Sequence, residues 1–142
     1  MYVRLHLSSV SVTPASMHAC SSVEQVWLQI SKNLLLIAMY VPPNISTSIQ
    51  NLMKEDVVEK ADQLLIAQPD LKVIIAGDLN QLSTALLERD LNIKNLINLP
   101  TRGSSVLDKI LVDKSVMDHY VSPLIVPNLG TSDHHGVLLR TA

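Results

Sequence analysis

A carboxylate and an amide follow an apolar run in the segment VIIAGDLN, residues 73–80. Asp78 and Asn80 are two residues apart, so on an extended chain their side chains point to the same side. Gly77 lets the backbone turn sharply or approach a ligand closely. Because ligands of α/β folds bind at the ends of strands, the pattern predicts a polar ligand site here. An Asx turn, in which both side chains only cap loop amides, explains the same residues equally well.

A second polar cluster, TSDHHGV, occupies residues 131–137. It places the carboxylate of Asp133 next to the imidazole of His134. Adjacent side chains of an extended segment point in opposite directions, so these two groups would serve different partners. A polar loop with a solvated histidine is the ordinary interpretation of such a segment taken alone. We interpret the neighbouring His135 as a bystander.

Two further polar residues, Asp108 and Tyr40, lie in or at the end of apolar segments, where polar groups are uncommon. Asp108 interrupts the apolar segment VLDKILV, and a carboxylate in such a place is costly unless it is paired. An imidazole is a natural partner, whose pKa the carboxylate would raise. An edge-strand aspartate that faces water is the alternative. Tyr40 ends another apolar run and offers a hydroxyl to a phosphate, although packing on the core is the better interpretation of this tyrosine taken alone.

Apolar periodicity and turn residues place these side chains at strand ends and in loops. The run LLLIAMYV at residues 34–41 is apolar throughout and is stopped by two prolines, which is typical of a strand buried on both faces. Residues 44–68 contain a helix, with Ser46 or Ser48 as its cap and Pro69 after its end. The other predicted elements are strands at Tyr2–Val12, Gln25–Ile30, Lys72–Ala76, Val106–Val112, Tyr120–Val126 and Gly136–Arg140, a helix at Ser83–Arg89, and loops at Thr13–Ser22 and Pro127–His135.

The order of these elements predicts an α/β fold in which helices pack over a sheet. The sequence contains no linker long enough to divide it, so residues 1–142 are predicted to form a single domain. Hydrophobic residues make up 47% of the chain and charged residues 17%, which is a globular composition. Aromatic residues total 3% and phenylalanine is absent, so the core is expected to be aliphatic.

Charge and cysteine content exclude several classes of protein. A net charge of −2 is not the basic excess of a chain that grips nucleic acid by charge alone. The single cysteine, Cys20, cannot build a disulfide framework or a cysteine zinc site, which fits an intracellular setting. The apolar run Leu34–Pro43 is too short to span a membrane. Polar residues interrupt the N-terminal apolar stretch, so we do not interpret it as a signal peptide.

In this order, the segments MYVPPN, VIIAGDLN, VLDKILV and TSDHHGV resemble the endonuclease/exonuclease/phosphatase superfamily. The run NLPTRGSSVLDKILV followed by SDHHGV looks most like the endonuclease segments of non-LTR retrotransposon polyproteins. The resemblance covers roughly Trp27 to Leu139. It implies part of a DNase I-like sandwich, with mixed β-sheet layers and helices packed outside, whose N-terminal part is missing.

The resemblance also implies a role for each matching residue. Asp78 would orient or deprotonate the attacking water, and Asn80 would hold that water and a phosphate oxygen. His134 would bind the phosphate and stabilise the charge of the transition state. Asp108 would pair with that histidine. Asp133 would lie beside the metal ion, and Tyr40 would contact the phosphate.

Phosphodiester cleavage needs a cation to offset charge, and oxygen ligands suit Mg²⁺ or Mn²⁺. DNA is the implied substrate, and a reverse transcriptase domain in a longer polyprotein is the implied partner. The sequence departs from the superfamily pattern before residue 40, where an asparagine and a metal-binding glutamate are expected. The only acid before Glu55 is Glu24, in a different context, and no asparagine precedes Asn33.

The expected function is therefore a metal-dependent phosphodiesterase domain that nicks DNA, with weak or no activity in this chain. Two alternatives remain open. One is a non-catalytic remnant or binding module of the same fold. The other is a small-molecule phosphatase of the superfamily.

Overall fold

The apolar runs of the sequence form neighbouring strands of one mixed sheet. The computed structural model describes residues 8–14 and 23–142. The strands of this sheet are β1 Ser9–Ser11, β2 Glu24–Ile30, β3 Leu34–Tyr40, β4 Lys72–Asp78, β5 Ile93–Asn95 and β6 Asp108–Asp113. They lie in the order β1-β2-β3-β4-β6-β5. With two helices, this sheet confirms the predicted α/β class.

One helix makes the only long crossover that the order of the described strands requires. β3 and β4 are parallel, and parallel neighbours need a crossover connection. The helix α1, Thr47–Ala67, supplies it. Of the two predicted caps Ser46 is the one used, because its Oγ accepts a hydrogen bond from the N–H of Ile49 at 3.3 Å. The second helix, α2, spans Ala85–Asp90.

Alternate side chains of the sheet point toward the helices and form an aliphatic core around one tryptophan. Trp27, Ile37 and Ile75 lie side by side on β2, β3 and β4, and all three are fully buried. From α1 the core receives three residues spaced four apart, which lie on one face of a helix: Met53, Val57 and Ala61. None of the helices in the described part of the chain has the length and apolar character to cross a bilayer.

The C-terminal third departs from the predicted elements. A separate two-stranded sheet pairs β7, Leu124–Val126, with β8, Gly136–Leu138. The strand predicted from Tyr120 is wrong in its first half, because Pro123 lacks a backbone donor and restricts the residue before it. A 3-10 turn instead occupies Met117–His119. β5 was not predicted, because three residues are too few to show a period of two.

Two predictions fall partly outside the described residues. The strand predicted at Tyr2–Val12 is present as β1, and its first six residues are not described. Most of the loop predicted at Thr13–Ser22 is likewise not described.

The register of the strands places a row of polar residues at one rim of the sheet. Glu24 lies opposite Tyr40, Tyr40 is the partner of Asp78, and Asp78 lies opposite Asp108. Cross-strand partners share a face of the sheet. Tyr40 is three residues from the buried Ile37, so the row stands on the face that α1 does not cover. Polar residues from four strands therefore meet at one edge.

Candidate active site at the rim of the sheet

Two carboxylates at the rim come from strands that run in opposite directions. Asp78 is the last residue of β4, and Asp108 is the first residue of β6. Their side chains are 25% and 24% exposed, so both are partly withdrawn from water. Two carboxylates on directly opposed residues repel each other unless a cation or a proton intervenes. The rim therefore favours a positively charged partner.

His134, from the loop before β8, supplies that partner. Its Nδ1 lies 2.8 Å from Asp108 Oδ2, and its Nε2 lies 3.9 Å from Asp78 Oδ2. An ionised carboxylate only accepts hydrogen bonds, so Nδ1–H is the donor. The hydrogen bond to Asp108 is the main cause that raises the pKa of His134 above its ordinary value. Nε2, the other ring nitrogen, is left nearest to Asp78.

A buried threonine holds the backbone at Asp108 and next to His134. Thr101 is fully buried, and its Oγ1 accepts hydrogen bonds from the backbone N–H groups of Leu107 and Asp108, each at 3.1 Å. Its carbonyl oxygen accepts the N–H of His135 at 2.7 Å. Thr101 thus sets the positions of Asp108 and of the residue after His134. Nothing in its own type marks it in the sequence.

Asn80 does not lie on an extended segment, so the prediction that it points to the same side as Asp78 is wrong. Its φ is 47°, a left-handed conformation that asparagine tolerates better than most residues. Its backbone N–H donates to Asp78 Oδ1 at 3.0 Å, which is the Asx turn considered above. Its Nδ2 donates to the carbonyl of Val41 at 2.6 Å. Asn80 therefore joins the loops that follow β3 and β4 and orients the Asp78 carboxylate.

A half-buried lysine holds the same loop from below. Lys109 Nζ donates to the carbonyl oxygens of Asn80 at 3.0 Å and Leu82 at 3.2 Å. Burial lowers the pKa of Lys109, and the nearby carboxylates of Asp78, Asp108 and Glu88 act in the opposite direction. The position of Lys109 inside the apolar run VLDKILV is the sequence signal that could have identified this anchor, since a buried charge needs partners.

Gly77 lets β4 approach β3 immediately before the site. Its φ is 150°, and a Cβ built there would lie 1.8 Å from the carbonyl oxygen of Met39. No other residue fits this position without moving a strand. The requirement for glycine comes from close backbone packing, which sets the position of Asp78.

The two remaining predicted site residues lie beside the group without joining it. Tyr40 is 41% exposed at the end of β3, in register with Asp78. Asp133 forms an exposed ion pair with Arg102, with Oδ2 2.6 Å from Nε. Its charge is close enough to contribute to the raised pKa of His134. The phosphate contact of Tyr40 and the metal contact of Asp133 stay predictions.

A cation fits the group through its carboxylates. Asp78, Asp108 and His134 each offer a ligand atom, and these atoms lie within 4.8 Å of one another. Carboxylate oxygens suit Mg²⁺ and Mn²⁺, which also bind substrate phosphates, whereas an imidazole nitrogen is a poor ligand for Mg²⁺. Within the described ranges no glutamate joins the group. Glu24 stands two strands away from Asp78, roughly 10 Å at the usual spacing.

The arrangement combines three chemical capacities at one point. Asp78 offers a carboxylate that can accept a proton or hold a water molecule. The Nε2 of His134 lies 3.9 Å from that carboxylate, and its protonated form would attract an anionic oxygen. The two carboxylates can hold a hard cation. Together these groups suit the hydrolysis of an anionic ester.

Comparison with solved structures identifies the fold. No protein-family model matches the sequence, and no curated protein sequence is significantly similar to it. The endonuclease domain of TRAS1, a telomere-specific non-LTR retrotransposon, aligns with 95% of this chain at a TM-score of 0.64 and 17% identity. An endonuclease/exonuclease/phosphatase family protein from Bacteroides thetaiotaomicron aligns with 81% at 0.56 and 13% identity. The human Nocturnin catalytic domain, with a bound sulfate anion, aligns with 94% at 0.56 and 14% identity.

The chain therefore has the fold of the endonuclease/exonuclease/phosphatase proteins, and the predicted DNase I-like α/β architecture is confirmed. It corresponds to part of these structures, since the alignments span 67%, 52% and 59% of their respective lengths.

Proposed function

We propose that this chain is a metal-dependent phosphodiesterase domain of retrotransposon origin that nicks DNA, with weak turnover on its own. The observation that carries the proposal is the meeting of Asp78, Asp108 and His134. Residues far apart in the sequence place an imidazole 2.8 Å from one carboxylate and 3.9 Å from another. A phosphodiester needs a base, a cation and an electrostatic clamp for its oxygens, and this group offers all three.

In the proposed reaction Asp78 orients and deprotonates the attacking water. His134 contacts a non-bridging phosphate oxygen through Nε2–H, and Asp108 holds the ring in the orientation that this needs. Asn80 fixes the loop that carries Asp78, through its hydrogen bonds to Asp78 and to the carbonyl of Val41. Tyr40 lies next in the row, and its hydroxyl donates a hydrogen bond to the phosphate. A bound Mg²⁺ or Mn²⁺ would neutralise charge on the phosphate and would be held by Asp78, Asp108 and Asp133.

Slow turnover follows from the ligand set. Two clustered carboxylates and a neighbouring third give a cation fewer protein oxygens than a full site, and Glu24 is too distant to add one. A metal held mainly through its substrate would bind weakly in the absence of DNA. The retrotransposon origin rests on the sequence run NLPTRGSSVLDKILV and on the fold of the TRAS1 domain.

Nicking of supercoiled plasmid with Mg²⁺ or Mn²⁺ tests the proposal. Slow nicking by the wild type that is lost in both Asp78→Ala and His134→Ala is the expected result. Arg89→Gln is a suitable control, because Arg89 pairs on the surface with Asp90, away from the rim. Nicking that survives both rim substitutions would refute the assigned site. Rapid nicking by the wild type would refute the claim that the isolated chain is weak.

A non-catalytic remnant is the second candidate, and the place of Glu24 outside the carboxylate group favours it. Titration with Mn²⁺ separates the two, because a cation that binds the native state raises the thermal midpoint. A midpoint that Mn²⁺ does not move, together with no nicking, would identify the remnant.

A further inference from the structure

A cavity adjoins the proposed site, and neither Asp78 nor Asp108 lines it. It has a volume of about 460 Å³. Its lining includes the polar residues Gln81, Arg102, Ser104 and Ser105 together with the apolar Pro43 and Leu107, and it reaches the site at Asn80. Apart from the Arg102 guanidinium, the polar groups of this lining are neutral and can form hydrogen bonds. The lining therefore suits an anion with several oxygens, such as a phosphate.

The positively charged side chain in the lining of this cavity, Arg102, is paired with Asp133 of the neighbouring site. Arg102 Nε lies 2.6 Å from Asp133 Oδ2, and the two side chains are 51% and 64% exposed. An exposed ion pair contributes little free energy, so either partner can leave it for a better one. Guanidinium binds phosphate through paired hydrogen bonds, which makes a phosphate such a partner.

Asp133 in turn lies next to the group that could hold a metal ion, Asp78, Asp108 and His134. It directly precedes His134, and its charge acts on that imidazole. While it is paired with Arg102, its carboxylate is committed to the cavity side. Release from Arg102 would leave its oxygens without a positive partner, beside a group that offers a cation only two carboxylates.

We propose that the cavity binds a DNA backbone phosphate adjacent to the one that is cut, and that Arg102 leaves Asp133 to bind it, which frees Asp133 for the metal ion. Substrate binding would in this way complete the ligand set. The inference rests on the proposed function, because it assumes a phosphodiester strand at the rim. It predicts opposite effects of one substitution on two ligands, which a purely structural role of Arg102 would not produce.

The test measures both ligands separately and requires no cleavage. Binding of a labelled DNA duplex is followed by fluorescence anisotropy in EDTA at increasing KCl concentrations. Arg102→Gln is expected to weaken binding and to reduce the slope of log K against log salt by about 0.9, the value of one phosphate contact. Arg102→Lys keeps the charge and should keep the slope, and the control Arg89→Gln should change neither affinity nor slope.

Mn²⁺ binding without DNA is measured by calorimetry on the same variants. Arg102→Gln is expected to tighten Mn²⁺ up to about fivefold, because breaking the exposed pair no longer opposes binding. The double variant that carries both Arg102→Gln and Asp133→Asn should not show this gain in Mn²⁺ affinity. Both Arg102 variants replace an exposed side chain, and their thermal midpoints would verify folding.

Each result decides a defined part of the inference. An unchanged salt slope in Arg102→Gln, or a wild type that binds no duplex, would overturn the phosphate subsite. Mn²⁺ affinity that is unchanged, reduced or undetectable in Arg102→Gln would overturn the exchange. Because neither measurement depends on turnover, failure of the plasmid assay with success here would refute the nuclease proposal and leave the subsite standing.

Discussion

Replacement of Asp108 by asparagine isolates the interaction on which the site depends. The substitution keeps the size of the side chain and its backbone hydrogen bond to Thr101, and removes only the charge that faces His134. A hydrogen bond between charged groups contributes about 1.5–3 kcal/mol. Because both side chains are about a quarter exposed, solvent screening lowers the expected loss of unfolding free energy to about 1–2 kcal/mol.

The sign of the pH dependence follows from the direction of the pKa shift. Folding raises the pKa of His134, so the folded protein binds the proton more tightly than the unfolded chain does. The pair therefore stabilises the fold fully below the unfolded pKa of about 6.5. This stabilisation is lost as the pH rises through the higher pKa of the folded state. The loss of unfolding free energy in Asp108→Asn should therefore be largest at pH 6 and clearly smaller at pH 9.

Urea unfolding at both pH values, without divalent cations, measures these free energies. A double-mutant cycle with His134→Gln then isolates the coupling between the two side chains. Coupling at pH 6 that declines toward pH 9 is the expected result. Equal losses for Asp108→Asn at the two pH values, or no coupling at pH 6, would refute the charged pair and with it the proposed orientation of the imidazole.

Three further substitutions test the residues that position the site, each by urea unfolding. Gly77→Ala should cost more than about 3 kcal/mol, since its Cβ would overlap a neighbouring backbone oxygen, whereas Gly103→Ala, with open space around it, should cost only about 1 kcal/mol. Thr101→Val should lower the free energy of unfolding by about 2 kcal/mol or more, because it leaves two N–H groups unpaired. Thr101→Ser keeps the hydroxyl and should lose much less. Lys109→Met should cost about 1–3 kcal/mol and speed amide hydrogen exchange in the loop after β4; unchanged exchange would contradict its role as an anchor.

Much of the site could be predicted because its residues stand where apolar runs stop. Tyr40 and Asp78 each end a run of the kind that forms a buried strand, so their position at a sheet edge followed from the sequence. Asp108 was recognisable because a carboxylate within an apolar segment requires a partner. These are local patterns, and single-sequence analysis detects local patterns well.

Other features depend on how distant segments meet. The left-handed backbone of Asn80 results from a turn that joins two loops, and the extended spacing assumed from sequence missed it. The pairing of Asp133 with Arg102 joins segments about thirty residues apart, and no local pattern connects them. The role of Thr101 is equally invisible, because it arises from hydrogen bonds that three backbone N–H groups donate to it, one of them from the distant residue His135.

The alternation of β6 has a consequence for the charge of the rim. Asp108 and Lys109 are neighbours, so they stand on opposite faces of the sheet, the first beside His134 and the second beneath the loop after β4. A slip of β6 by one residue against β4 would exchange the two faces. An ammonium would then stand where a carboxylate now binds the imidazole, and the rim would repel the cations that it now attracts. The two hydrogen bonds of Lys109 and the two received by Thr101 oppose that slip, so the polarity of the rim is fixed by strand alignment as much as by composition.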